Sequence, residues 1–339
     1  MDQPICVEIP NSILEKSRKV LKSYNLNDFK AFRPIRSPWL QTIVPSLIRQ
    51  DELRSTTMTH LDLSCGDQLV LALNTPETWR KGDRTVILVH GLTGCYQSKY
   101  LMRLARDLNR LGYQTVRVNL RGAGPGYSKA RGIYHSGRSE DTRAVVEWAR
   151  RRWEHSPLTI IGYSLGGNIS LKMVAEDGAR GLVDSVAAVS APIDLKACSN
   201  RLSMSRNRFF DQYFVNRLKK DIRQKHQLFP DLPKFDLPPK LNLAEFDHYY
   251  TAPRAGFRSG QEYYEKCSSL PILSDINVPA LLLCANDDPI IDPRCFFGLE
   301  GKDNFKLVMT VGGGHVGFYG QGRHYWMDSL LLQWVKGLT

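Results

Sequence analysis

No two cysteines in this 339-residue chain stand at the spacing of a metal knuckle or a redox pair. The seven thiols (Cys6, Cys65, Cys95, Cys198, Cys267, Cys284, Cys295) are scattered singly. Without a CxxC or a histidine pair at zinc spacing, zinc modules and thioredoxin-type chemistry are excluded, and the cysteines read as reduced thiols that mostly pack. Cys95, beside a glycine-bearing loop, is either a reactive thiol or a small wall residue. Long apolar runs are also missing. "TVILVHGL" and "PALLLCA" fall far short of the ~20 residues that span a bilayer. The first ten residues, "MDQPICVEIP", hold an early acid and no continuous apolar stretch, unlike a secretory signal. These absences lead us to expect a soluble, cytoplasmic protein.

Internal repeats, Walker loops, HExxH and paired-carboxylate motifs are absent as well. "RGAGPGY" invites a dinucleotide reading, but Tyr127 occupies the place of the last glycine of GxGxxG and Pro125 interrupts the helix start. Neither a cofactor nor a metal is therefore expected. Acidic residues are in short supply: 34 Asp and Glu face 46 Lys and Arg, for a net charge of +12. Eight Lys/Arg against two Asp between Arg201 and Lys225 supply half of that excess. Phe209, Phe210, Tyr213 and Phe214 lie in the same stretch. The segment reads as a solvated helical face or as a surface weakly attracted to anionic membranes; nucleic acid is not expected, because no recognition module accompanies the charge.

What is present is an alternation. Residues 12–24 and "SPWLQTIVPSLIRQ", the latter interrupted by Pro45, read as an N-terminal helical wrap over 1–52. "STTMTHLDLS" and "LVLALN" read as a hairpin. Then "TVILVHG", "YQTVRVNL", "LTIIGYS" and "DSVAAVSAP" read as buried strands, separated by helices at "KYLMRLARDLNRLG", "SEDTRAVVEWARRRW" and the amphipathic "GGNISLKMVAED". Continuous Val/Ile/Leu runs between such helices imply a mostly parallel central sheet with helices on both faces, an α/β class. The alternation stops at residues 195–276, a basic, aromatic and proline-rich stretch without a convincing strand, which reads as a helical cap insertion. It resumes with "VPALLLCAND", "FKLVMTVGG" and a closing helix "HYWMDSLLLQWVKGL". Residues 53–194 and 277–339 are then the two parts of one core.

Ligand sites of open α/β sheets lie beyond the carboxyl ends of the strands, where the candidate residues cluster. "TIIGYSLGGNIS", residues 159–170, runs from a strand through Gly-x-Ser-x-Gly into a helix. The pentad alone would arise by accident in roughly 0.15 of such chains, so its neighbours must decide. Gly162 and Gly166 relieve the crowding of a sharp strand-to-helix turn and expose Ser164 as a nucleophile, while the helix aims the amide of Leu165 at a developing oxyanion. "VHGLTG", residues 89–94, offers the amide of Leu92 as a second donor. His315 in "VGGGHVGF", on a loop after the last core strand, is the candidate base; His90 reads as packing and His135 as a support of the site. In "ALLLCANDDPIIDP" the spacing from the strand favours Asp288 as the orienting acid, with Asp287 the runner-up or a turn cap. The order Ser, Asp, His is that of α/β-hydrolases.

The blocks "LQTIVPSLIR", "HGLTG", "NLRGAG", "IYHSGRSED", "GYSLGGN", "SAPIDLKAC", "EYYEKCSSLPIL", "ANDDP" and "GGHVGF" occur in an order that resembles the YheT-like hydrolases, the AB hydrolase 4 group of the α/β-hydrolase superfamily. The resemblance runs nearly end to end. It implies an α/β-hydrolase fold, Ser164 as nucleophile with Asp288 and His315 as its relay, no cofactor, and an activity similar to carboxylesterases and acylglycerol-type lipases on small-molecule or lipid esters. An acyltransferase built on the same residues, or a non-catalytic lipid-binding protein on the same scaffold, are the alternative expectations.

Overall fold

The computed structural model describes residues 5–53, 55–299 and 304–338. Residues 1–4 of the expected wrap, and 300–303 and 339 of the last core segment, lie outside the described residues. Helix α1 (Asn11–Ser23) buries Ile13, Ser17 and Leu21, one residue per turn on a single face. Helix α2 (Pro38–Leu47) begins on a proline and runs straight through Pro45. The expected interruption there does not occur. Pro45 lies in the last turn, so it costs one hydrogen bond, that to the carbonyl of Gln41, and that oxygen is closely packed against Gly317 instead.

Strands β1 (Thr57–Asp62) and β2 (Gln68–Asn74) form the expected antiparallel hairpin. There follow β3 (Thr85–Val89), α3 (Lys99–Arg110), β4 (Gln114–Asn119), α4 (Ser139–Arg152), β5 (Leu158–Tyr163), α5 (Leu165–Asp177) and β6 (Ser185–Val189). Between β6 and β7 (Ala280–Ala285) lie α6 (Leu195–Leu202), α7 (Arg208–Leu228), α8 (Leu243–Phe246), α9 (Ala252–Arg254) and α10 (Gly260–Cys267). The chain closes with β8 (Phe305–Thr310), a two-residue pairing of β9 (Tyr319–Gly320) with β10 (His324–Tyr325), and α11 (Trp326–Lys336). The closing helix thus starts two residues later than the pattern suggested, because His324 and Tyr325 pair with the chain that precedes them.

Eight strands form one sheet in the order β1-β2-β4-β3-β5-β6-β7-β8, with β2 antiparallel to both neighbours and the strands from β4 to β8 parallel. The side chains of β3 alternate between two cores. Val86 and Leu88 pack with Leu101 and Leu104 of α3 and Leu331 of α11, while Ile87 and Val89 pack with Val145 of α4 and Ile169 of α5. Both faces are therefore dry, as continuous apolar strands require. Helix α5 is buried on nearly every side, with only Glu176 exposed, so its expected amphipathic pattern gives way to a fully enclosed helix.

Register places the loops that matter side by side. Val89 pairs with Gly162, Tyr163 with Val189, Val189 with Leu283, and Ala285 with Thr310. The segments that follow β3, β5, β7 and β8 consequently leave the same edge of the sheet.

Candidate active site

Ser164 is the hinge of the turn from β5 into α5. Its backbone has φ 52° and ψ −126°, a region costly to any residue with a Cβ. The turn closes because its neighbours lack side chains: a Cβ on Gly162 would come 2.3 Å from the Gly166 carbonyl, and one on Gly166 would come 2.4 Å from the His90 carbonyl. The Ser164 amide donates to Val189 O at 2.8 Å, anchoring the turn to the adjacent strand.

His315 reaches this serine from the loop after β8. Its Nε2 lies 2.9 Å from Ser164 Oγ, and its Nδ1 lies 2.9 Å from Asp288 Oδ2. The other carboxylate oxygen of the fully buried Asp288 accepts the amides of Ile290 and Ile291 at 2.8 and 2.9 Å. With both oxygens engaged, the carboxylate has one orientation. Arg201 of α6 holds the same turn by donating to Asp288 O at 2.8 Å. Asp287 points elsewhere: its Oδ1 accepts the Gly314 amide at 2.9 Å, so it braces the histidine loop. Burial raises Asp287 to about 6, with its amide bond to Gly314 acting in the opposite direction. The structure therefore brings Ser164, His315 and Asp288 into one hydrogen-bonded chain; the amides of the turn after β7 go to Asp288 and not to Asp287, which does not cap that turn as the sequence allowed but braces the loop after β8.

The loop after β3 is built around a neutral histidine. His90 Nδ1 lies 2.7 Å from Gly91 O, and its Nε2 accepts the Leu120 amide at 3.1 Å. Burial, partly offset by the Gly91 contact, lowers His90 to about 4, which keeps the ring uncharged at neutral pH. Two phenols tie down the flanking amides: Tyr100 accepts from Gly91 at 3.0 Å, and Tyr134 from Thr93 at 2.8 Å. Gly91 packs so closely that a Cβ there would sit 2.9 Å from Ser164 Cβ. The amides of Leu92 and Leu165 donate to no protein acceptor among the described residues. The phenols, Arg201 and Asp287 carried no sequence signal for these tasks, since each partner lies on another element, 9 to 87 positions away.

A family description, alpha/beta hydrolase fold, matches residues 84–320. The chain belongs to that family. It is 30% identical to the YheT protein of Escherichia coli (strain K12) over 91% of this chain and 93% of that one. It is also similar to the phospholipase ABHD3 of Mus musculus, with 29% identity over 75% of this chain and 64% of the relative. A monoacylglycerol lipase of Saccharomyces cerevisiae is 26% identical over 72% of this chain and 57% of its own length. This chain thus spans less than two thirds of those last two relatives. Among solved structures, the Pyrococcus furiosus esterase Pf2001 shares the fold, with a TM-score of 0.57 at 17% identity over 87% of this chain and 97% of that one. The protein is an esterase- or lipase-type α/β hydrolase.

In this hydrolase Ser164, Leu92 and Leu165 line one cavity whose wall also includes residues from the chain between β6 and β7. Phe214, Leu218, Ile222 and Lys225, one face of α7, form part of its wall. His135 lies in the wall and not in the hydrogen-bonded chain; its ring faces Phe257 and Tyr263 at 5.9 Å. Burial, then the charges of Arg138 and Arg121, push it down to about 3. Cys95 is half-buried, packs near Gly124 and is not among the residues of the cavity wall. Among the described residues no helix is long and apolar enough to cross a membrane.

Proposed function

We propose that this hydrolase is a serine carboxylic-ester hydrolase, a carboxylesterase or acylglycerol-type lipase working through a covalent acyl-serine. Ser164 Oγ attacks the acyl carbonyl as its proton passes to His315 Nε2. The tetrahedral oxyanion is received by the amides of Leu92 and Leu165, each such donor being worth ~10²–10³ in kcat. The alcohol departs with the proton from His315, leaving the acyl-serine; a water molecule then attacks the acyl carbon as its proton passes to the same nitrogen, the bond to Ser164 Oγ breaks, and Oγ takes that proton back as the acid is released. Asp288 holds the Nδ1–H tautomer and stabilises the imidazolium. No step calls for a cofactor. The observation that carries this reading is the unbroken relay, 2.9 Å from Ser164 to His315 and 2.9 Å from His315 to Asp288.

The largely apolar cavity wall and relatives named phospholipase and monoacylglycerol lipase support small-molecule or lipid esters as substrates. In this reading residues 195–276 form a cap that shapes the acyl pocket. All seven cysteines are free, which supports a reducing, cytoplasmic compartment. Helix α7 exposes Arg208, Phe209, Tyr213, Arg217, Lys220 and Arg223, and no carboxylate on its exposed positions, while its other face lines the cavity. That arrangement supports a weak association with anionic membranes.

The test is hydrolysis of p-nitrophenyl esters from acetyl to palmitoyl by wild type and Ser164→Ala, with fluorophosphonate labelling of both. Ser164-dependent turnover and labelling are expected. Labelling without turnover, followed by ester formation when an alcohol is added, identifies an acyltransferase; the absence of both signals identifies a non-catalytic lipid-binding protein.

A further inference from the structure

We propose that helix α2, far from the site in sequence, contains the residues that position His315, and that Thr42 is the foremost of them. This rests on the reading of His315 as the base for Ser164. The histidine loop is held against its own conformational preference. Gly312, Gly313 and Gly314 have φ of 82°, 137° and 62°, and the non-glycine residues Val316 and Phe318 have φ of 59° and 44°. A β-branched residue at positive φ is strained, and such a loop keeps its shape only where its surroundings impose it.

Helix α2 is a large part of those surroundings. The His315 amide donates to Thr42 Oγ1 at 2.9 Å, and Thr42 Oγ1 in turn donates to Pro38 O at 2.7 Å. The fully buried Gln41 brackets the far end of the loop, accepting the Tyr319 amide at 2.8 Å and donating to Tyr319 O at 3.0 Å. Between these clamps the loop lies directly on the helix backbone: a Cβ on Gly314 would come 2.6 Å from Pro38 O. From the turn after β7, Asp287 and Asn286 accept the amides of Gly314 and Gly312, each at 2.9 Å. The loop is thus gripped between α2 and the turn after β7. Thr42 is the partner that binds the backbone of His315 itself, so losing its oxygen frees the one residue whose place sets the distance to Ser164. Thr42 is not among the residues of the cavity wall and bonds the backbone of His315, not its ring; it is a positioning residue, 273 positions away in sequence.

Three variants of the full chain test this: Thr42→Val, Thr42→Ala and Thr42→Ser, each checked for cooperative thermal unfolding. Two readouts are needed: kcat and KM on a p-nitrophenyl ester per fluorophosphonate-titratable site, and the low-field proton resonance of the His315–Asp288 hydrogen bond. We expect Val and Ala to lower kcat by up to about 100-fold, with KM nearly unchanged. They should also shift or broaden the low-field resonance, while Ser restores both. Wild-type kcat and an unshifted resonance in a folded Val or Ala variant overturn the proposal. Equal damage from Ser overturns it too, since that makes volume and not the oxygen decisive. The resonance separates this inference from the functional reading: if wild type shows no Ser164-dependent turnover, the esterase mechanism falls, while the response of the resonance still decides the role of Thr42.

Discussion

The turn at Ser164 and the loop at His315 both hold a polar side chain over the carboxyl edge of the sheet, and they do so by opposite means. Around Ser164 the constraints come from the pentad itself and the strands beside it. Gly162 meets Gly166 O, Gly166 meets His90 O, and the Ser164 amide bonds Val189. Around His315 they come from α2, near the start of the chain, and from the turn after β7. The first device folds wherever a parallel sheet places a strand next to it. The second exists only once α2 has docked on the loop after β8, so a local motif and a long-range clamp meet at one candidate active site.

The largest effect should come from breaking the local half at its hinge. Ser164→Ala should lower turnover by roughly 10⁴ to 10⁶ and abolish fluorophosphonate labelling; activity near wild type would remove Ser164 from the mechanism. Next is the relay that links the two halves. Asp288→Asn should cost about 10⁴ in kcat, because the amide favours the wrong imidazole tautomer. A loss no greater than that of Asp287→Asn would misassign the orienting acid.

Crowding sharpens the comparison further. Gly317→Ala places a Cβ 1.9 Å from Gln41 O, so we expect thermal unfolding to drop by the equivalent of ~1–3 kcal/mol. The kcat should fall with it, because the contact shared with α2 is forced apart. If stability falls and kcat per active site does not, the clamp does not govern the histidine.

A smaller effect is expected at Asp287. Its folded-state value, raised by burial to about 6 from 3.8, means that the folded chain holds this proton more tightly than the unfolded one. The stabilising share is present below about 4 and is lost as pH rises through about 6, above which the buried charge opposes folding. Asp287→Asn should therefore raise Tm over wild type at pH 8, with the gain shrinking toward zero near pH 4, while an amide oxygen still accepts the Gly314 amide. A Tm difference independent of pH would contradict the assignment. The smallest effect concerns α7: reversing charge at Arg217, Lys219 and Lys220 should weaken binding to anionic liposomes and leave hydrolysis of soluble esters unchanged. Binding that is indifferent to the reversal removes the membrane association.

Much of the architecture was legible because it follows from local pattern. Continuous Val/Ile/Leu runs between helices dictate a parallel sheet, and a hairpin turn dictates its antiparallel edge. Gly-x-Ser-x-Gly between strand and helix announces a strained elbow, and residue spacing singled out Asp288 over Asp287. Other features resisted the same logic. Pro45 was expected to interrupt α2, but it lies in the last turn, where it costs only one hydrogen bond, and the helix runs on to Leu47. Helix α5 looked half-exposed by periodicity, yet its neighbours enclose it.

What the sequence determined by itself is therefore the set of elements and the chemistry each can present, since backbone propensity and apolar period act over a few residues. The tertiary structure alone decided which groups meet. The pairing of Asp288 with His315, the turn of Asp287 toward Gly314, the neutral wedge of His90 and the grip of Thr42 and Gln41 on the histidine loop depend on strand register and on docking across separations of 27 to 278 positions. No local pattern encodes those contacts, because their energy appears only when the sheet has closed and the buried polar groups must find partners in it.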